Sequence, residues 1–279
     1  MKSFYILLIA LIIIYLIIKN QDNFISLNEF TILDDNTSIT EKDKNYLKKF
    51  KETQLIKLTS NNKITNPSQR KNKISIITFD NRADLPYVIT HNENLHNYSK
   101  KFGYDYKFYD TCSNNVYWCK IHMVLDELQT GKYDYVMWMD SDTYIFNMDI
   151  NLSDILNSYS SDIFVGSDNH KSYDLINAGV FIIKNSSRGI QFLQECIDSL
   201  NPECTTIDSK KGITLKGNWA GTCYEQGVMN ILIADKYYKN TTVLSNDIIY
   251  NYGKCSKDVF IMHLYGSSTD TRVKCFSKK

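Results

Sequence analysis

From Lys73 onward, short apolar runs alternate with longer stretches whose apolar positions recur at helical spacing. Ile74 to Phe79, Tyr104 to Tyr109 and Tyr135 to Met139 read as strands. Between them, Leu85 to Phe102 and Trp118 to Leu128 carry apolar residues three or four apart, as one buried helix face requires. Further strands are expected at Ile163 to Val165, Gly179 to Ile183, Thr242 to Leu244 and Val259 to His263, with helices at Gly189 to Leu200 and Tyr224 to Tyr237. Such alternation predicts βα units around a mostly parallel sheet, hence a single α/β domain over residues 73–279. No internal repeat interrupts it.

The residues before this domain follow other rules. Phe4 to Ile18 is an uncharged apolar run flanked by Lys2 and Lys19. As a helix it is about 22 Å long, which a thin bilayer tolerates with help from flanking residues. No small-x-small cleavage site follows, so residues 1–19 are expected to be an uncleaved signal anchor that attaches the protein to a membrane through an N-terminal helix. That predicts a single-pass type II protein with its catalytic part in the ER or Golgi lumen. Residues 20–72 are polar, with a weak amphipathic stretch from Tyr46 to Leu58, and read as a stem.

Composition narrows the function. Lys+Arg of 32 against Asp+Glu of 31 leaves a net charge of +1, so no basic field attracts nucleic acid, and no nucleic-acid partner is expected. The 43% hydrophobic content is that of a globular chain, which excludes disorder. The seven Cys form no Cys-x-x-Cys pair, and none has the Cys/His spacing of structural zinc. Cys112 with Cys119, Cys196 with Cys204 and Cys255 with Cys275 are nearest neighbours; spacing leaves the connectivity open, and the odd count leaves one thiol over.

The sharpest chemical signal is YVMWMDSDTYIFN. Tyr135 to Met139 is apolar without alternation, as in a central strand covered on both faces, and Asp140 and Asp142 close it. Ligands of open α/β sheets bind at the carboxyl ends of strands. Residues i and i+2 of an extended segment share a side, so both carboxylates can face one cation while Ser141 points away. Hard carboxylate oxygens suit Mn²⁺ or Mg²⁺, ions that also bind diphosphate. Three weaker signals follow. Asn177 precedes Gly179 at the opening of a buried strand, placed either to bond a ligand hydroxyl or to hold its own turn. Glu225 and Gln226 begin an apolar-faced helix, where an acid also complements the helix dipole. His263 ends an apolar strand before Gly266 and becomes a third metal ligand if that strand lies beside the Asp140 strand.

Taken in order, HNYSKKFGYDYKFYD, YWCKIHMVLDEL, MWMDSDTYIFN, NAGVFIIKNS, EQGVMNIL and HLYG resemble the motif series of the retaining glycosyltransferases that include the xyloglucan α-xylosyltransferases and the Golgi α-galactosyl- and α-mannosyltransferases. The likeness covers roughly Tyr87 to Gly266. It implies a GT-A fold, a nucleotide-diphosphate sugar as donor, a glycan or glycoprotein acceptor, and Mn²⁺. By this resemblance Asp140, Asp142 and His263 hold the metal, and Asp140, Asp142, Lys120, Asn177, Gly179 and Gly266 belong to the donor site, with Asn177 in a sugar-binding loop. Gln226 then stands near the anomeric carbon on the face away from the leaving group, with Glu225 beside it.

Two features depart from the family pattern. Ser267 and Ser268 follow the His-x-x-Gly turn where Cys and Lys are common, so Arg272 or Lys274 must supply any cation for the diphosphate. The loop Thr78 to Arg82 has no counterpart, which leaves uridine versus guanosine open. The competing readings are a glycogenin-like retaining transferase, in which a Lys-Pro-Trp absent here is usual, and a catalytically silent nucleotide-sugar-binding protein. A sugar nucleotidyltransferase needs a Gly-rich basic phosphate loop, which KISIITFDNRAD is not.

Overall fold

The structure, a computed structural model, describes residues 62–67, 69–168, 176–208, 212–216 and 221–277. All of them fall within one compact unit. In chain order the elements are β1 (Ile74–Phe79), α1 (Pro86–Phe102), β2 (Asp105–Tyr109), α2 (Cys119–Gln129), β3 (Tyr135–Met139), β4 (Thr143–Ile145), α3 (Leu152–Asn157), β5 (Ile163–Ser167) and β6 (Ile176–Lys184). There follow α4 (Ser187–Asp198), β7 (Thr205–Asp208), β8 (Gly212–Leu215), α5 (Glu225–Leu232), β9 (Thr241–Leu244), β10 (Ile249–Asn251), β11 (Ile261–His263) and α6 (Thr269–Phe276).

The central sheet has the order β2-β1-β3-β6-β5-β9. All its pairings are parallel except those of β6, which runs antiparallel to both β3 and β5. A mostly parallel sheet was therefore the right expectation, with one reversed strand. Along β3, Val136 and Trp138 point into the core under α2 and α4, while Tyr135, Met137 and Met139 point into the core on the opposite face. This two-sided burial is why the strand reads as a continuous apolar run. A second sheet, β10-β11-β4, packs at the carboxyl end of the first, and β7 and β8 form a separate hairpin.

Local chemistry sets the element ends. Pro86 opens α1, with Leu85 extended before it as proline demands. Gly103 closes α1 at φ +71°, a conformation that favours glycine. The regular part of the helix expected to reach Tyr237 stops at Leu232. Cys112–Cys119 and Cys255–Cys275 are disulfides, as their proximity in sequence suggested, but the third is Cys204–Cys223, leaving Cys196 as a buried free thiol.

The expected membrane placement is corrected. Among the described residues no helix is long and apolar enough to cross a membrane. The longest of them, α1, has 17 residues and carries His, Asn, Glu and Lys side chains. The apolar run Phe4 to Ile18 and most of the proposed stem lie outside the described residues.

Candidate active site

Three segments converge at the carboxyl end of β3. The chain leaves the strand at Asp140, whose N–H donates to Gly179 O (2.8 Å), and turns at once, with the N–H and hydroxyl of Thr143 donating to Asp140 O (3.1 and 2.8 Å). That turn starts β4, which pairs with β11 so that Thr143 faces His263, and Leu264 N–H donates to Asp142 O (2.9 Å). Two strands of three residues thus carry a histidine more than a hundred positions away to the acid turn. Asp140, Asp142 and His263 each offer one ligand atom, all within 4.8 Å of one another.

A divalent ion bound about 2.1 Å from each ligand allows donor atoms at most about 4.2 Å apart, a limit that the His263 separations from both acids satisfy. The hydrogen bonds sharpen the test. His263 Nε2 stands 3.1 Å from Asp142 Oδ1 and 4.0 Å from Asp140 Oδ2. A neutral ring with its proton on Nδ1 would set the Nε2 lone pair against a carboxylate lone pair, an arrangement that a cation between them relieves. Two carboxylates and an imidazole also have the donor chemistry of a Mn²⁺ or Mg²⁺ site. Gly179 makes room for the ring: a Cβ there would lie 2.0 Å from His263 Cε1.

Charges around the triad are balanced in pairs. Lys120, at the start of α2, is buried, with Nζ 3.0 Å from Asp140 Oδ1, 3.0 Å from Glu225 Oε1 and 3.3 Å from Ala178 O. Burial disfavours its charge, but Asp140 and Glu225 overcome this and hold the ammonium well above its ordinary pKa. For Glu225 burial dominates and raises the carboxyl, with Lys120 opposing. Arg272, on α6, donates to Asp142 Oδ2 at 2.6 Å and lies over the Tyr87 ring. Burial would raise Asp142, yet positive charge from His263 when its ring is protonated, from Arg272 and from Lys120 holds it far below the usual carboxylate range. Trp138 Nε1 donates to Asp140 Oδ1 at 2.6 Å, orienting that side chain.

These residues line a cavity of about 1040 Å³. Asp80, Asn81 and Arg82, after β1, form one wall. Buried Asp80 accepts from Arg82 and from Ser141 Oγ (2.5 Å), which anchors the acid turn to β1. Burial opposes ionisation of Asp80, but hydrogen bonds from Arg82 and Ser141 lower its pKa on balance. Val116, Tyr117 and Tyr224 also line the cavity, with the two tyrosines edge to face at 4.9 Å.

The site residues expected from sequence all line this cavity. Asn177 lies within β6 rather than in a loop, and its Oδ1 accepts from Gly179 N–H (2.8 Å) beside a register shift in β5. Gln226 Oε1 accepts from Ala178 N–H (2.9 Å), so its carbonyl is already engaged. Gly266 has φ +65°. Of the two cations considered for the diphosphate, Arg272 lines the cavity, whereas Lys274 is exposed on α6.

The family model of the nucleotide-diphospho-sugar transferases matches residues 71–276. The chain belongs to this family. It is accordingly a glycosyltransferase, and its α/β fold is that of the nucleotide-diphospho-sugar transferases. Among solved structures, the transferase is similar to a glycosyltransferase involved in glycosylation of the major capsid of PBCV-1 (TM-score 0.55, 14% identity, 74% of this chain and 100% of that one). A weaker likeness links it to the glycosyltransferase GlyE of Streptococcus pneumoniae TIGR4 (TM-score 0.46, 13% identity, 74% of this chain and 61% of that one). No curated protein sequence matches it significantly.

The transferase also contains site features that its sequence did not announce. Asp80 as the anchor of Ser141, Arg272 as the partner of Asp142, and Asn251 behind His263 are all long-range pairings. An aspartate just past the first strand, followed two residues later by arginine, was the available hint for Asp80.

Proposed function

We propose that this protein is a metal-dependent retaining glycosyltransferase that moves a hexose or pentose from UDP-Gal, UDP-Xyl, UDP-Glc or GDP-Man to a glycan or glycoprotein acceptor. The observation that carries the reading is the convergence of Asp140, Asp142 and His263 at the end of the central strand, on the wall of a cavity of about 1040 Å³. In this reading the three side chains hold Mn²⁺ or Mg²⁺, which supplies Lewis-acid stabilisation of diphosphate charge.

The chain's own residues do the rest. Bond cleavage between the anomeric carbon and the phosphate oxygen leaves the electron pair on a nucleoside diphosphate and positive charge on the sugar, as in glycoside hydrolysis. Of Arg272 and Lys274, the cations considered for the diphosphate, Arg272 is the one that lines the cavity. Glu225 Oε2 is buried on the cavity wall with no hydrogen-bond partner among the described residues, an acceptor suited to a donor-sugar hydroxyl. Gln226 and Glu225 face the sugar from the side away from the leaving group. An amide is a poor nucleophile, so retention follows from attack by the acceptor hydroxyl on the face that the diphosphate leaves; its proton passes to the departing phosphate oxygen. A covalent route would have to use Glu225. The exposed Val116 and Tyr117 on the rim offer apolar surface to an acceptor sugar ring.

The test is a panel of UDP- and GDP-sugars incubated with the full chain in Mn²⁺ or in chelator. Sugar release from one donor in Mn²⁺ and its loss in chelator are expected. Equal release in chelator would overturn the metal-dependent reading.

A further inference from the structure

Asn251 is fully buried on β10, in register beside His263 of β11, and lies behind the cavity rather than in its wall. Its amide is oriented by a partner of fixed chemistry. Nδ2 donates to the backbone carbonyl of Ser167 at 2.8 Å. A carbonyl only accepts, so the amide nitrogen faces Ser167 and Oδ1 must face the other way, 3.0 Å from His263 Nδ1. An amide oxygen also only accepts, so Nδ1 carries a proton. In the neutral ring the Nε2 lone pair is then bare and directed at Asp140 and Asp142.

The sheet is cut away to admit this arrangement. A Cβ on Gly166 of β5 would lie 2.4 Å from Asn251 Nδ2 and 2.5 Å from Ile249 Cγ2. A Cβ on Gly179 of the neighbouring β6 would lie 2.0 Å from His263 Cε1. Two glycines on adjacent strands thus leave space for the amide and the imidazole, where ordinary side chains would displace both.

We propose that Asn251 is a positioning residue: it takes its orientation from Ser167 O, holds His263 in the Nδ1–H tautomer, and thereby presents the Nε2 lone pair to a divalent cation shared with Asp140 and Asp142. This rests on the metal reading above, and the experiment separates the two. A protonated His263 forming only a structural ion pair with Asp142 is the competing arrangement.

Ring ¹⁵N NMR of the metal-free full chain at mildly alkaline pH should find Nδ1 protonated and Nε2 bare. A proton on Nε2, alone or with one on Nδ1, overturns the proposal, and this measurement needs no variant. Mn²⁺ binding is then titrated by EPR. Asn251→Leu, similar in volume but with no acceptor, should weaken Mn²⁺ binding about 10- to 100-fold, the usual effect of losing a partner behind a metal-binding histidine. Asn251→Asp keeps an acceptor for Nδ1–H but loses the donor to Ser167 O, so it should melt lower than wild type yet bind Mn²⁺ clearly more tightly than Asn251→Leu. A merely structural role would lower melting temperature and Mn²⁺ affinity equally in both variants, and that result, or wild-type affinity in Asn251→Leu, overturns the proposal. If the ring tautomer is as described but the wild-type chain binds no Mn²⁺, the metal reading itself has failed, and the proposal falls with it.

Discussion

Replacing Lys120 with Met tests how the site's charges are held. Methionine keeps the length and apolar character of the side chain but removes the ammonium that stands 3.0 Å from both Asp140 and Glu225. Glu225 is the partner that suffers, because its side chain is only 5% exposed, whereas Asp140, at 28%, retains contact with water. Removing one member of a buried pair costs about 3–5 kcal/mol, much of it from the charge left behind. For a domain of about 200 residues, each kcal/mol shifts the melting temperature by about 2–4 °C, so a fall of about 6–20 °C is expected. The pH dependence has a definite sign. Burial already raises the Glu225 pKa in the folded protein, and loss of Lys120 raises it further. A group with a raised folded pKa contributes stability below its unfolded value that is lost as pH rises through the folded value. Lys120→Met should therefore be least destabilised in mild acid and fall progressively behind wild type toward neutrality. Adding Glu225→Gln removes the buried charge and should recover much of the loss. Calorimetric melts of wild type, single and double variants across that range supply the assay. A single variant within about 2 °C of wild type at neutral pH, or a double variant no more stable than the single, would refute the reasoning.

Two further outcomes follow from buried contacts. Gly179→Ala places a methyl against the His263 ring and should cost about 1–3 kcal/mol in chemical denaturation, with weaker Mn²⁺ binding; unchanged values would mean that the ring has room to move. His91 is fully buried between Thr143 O and Thr78 Oγ1, and burial depresses its pKa from 6.5 to about 4. Stability from the neutral ring is therefore present above about pH 6.5 and is lost as pH falls through about 4, up to about 3 kcal/mol by linkage. His91→Gln should flatten that acid limb of the stability profile, and an identical limb in both proteins would refute the assignment.

The sequence announced some parts of this site and concealed others, for physical reasons. β3 and its closing acids were legible because a strand buried on both faces must be apolar throughout, which makes two carboxylates at its end conspicuous. The reversed direction of β6 was less visible. Only residues 168–175 separate it from β5, too few for a parallel crossover, but the expected strand began at Gly179 and so lengthened the apparent gap. β4 and β10 are three residues each and gain their identity from pairing with β11, a contact with little local signature. The polar α6 hid as well: the Cys255–Cys275 disulfide and the pairing of Arg272 with Asp142 tie it to the domain. His263 was named a ligand on condition that its strand lay beside the Asp140 strand; β11 instead pairs with β4, just past the acid turn, and reaches the acids by that route. Asn251 had no signal of its own, since an asparagine after a short apolar run reads as the start of a turn.

The central claim is that Asp140, Asp142 and His263 share one divalent ion that grips a nucleoside diphosphate. Titration calorimetry of UDP and GDP into the full-length protein, with Mn²⁺ and with chelator, tests it most directly when repeated on Asp142→Ala. At least one of the two nucleotides should bind wild type tightly in Mn²⁺ and at least tenfold more weakly in chelator, about 1.4 kcal/mol or more, and the variant should lose the Mn²⁺-dependent part. Equal affinity with and without metal, or undiminished Mn²⁺-dependent binding to Asp142→Ala, would contradict the account.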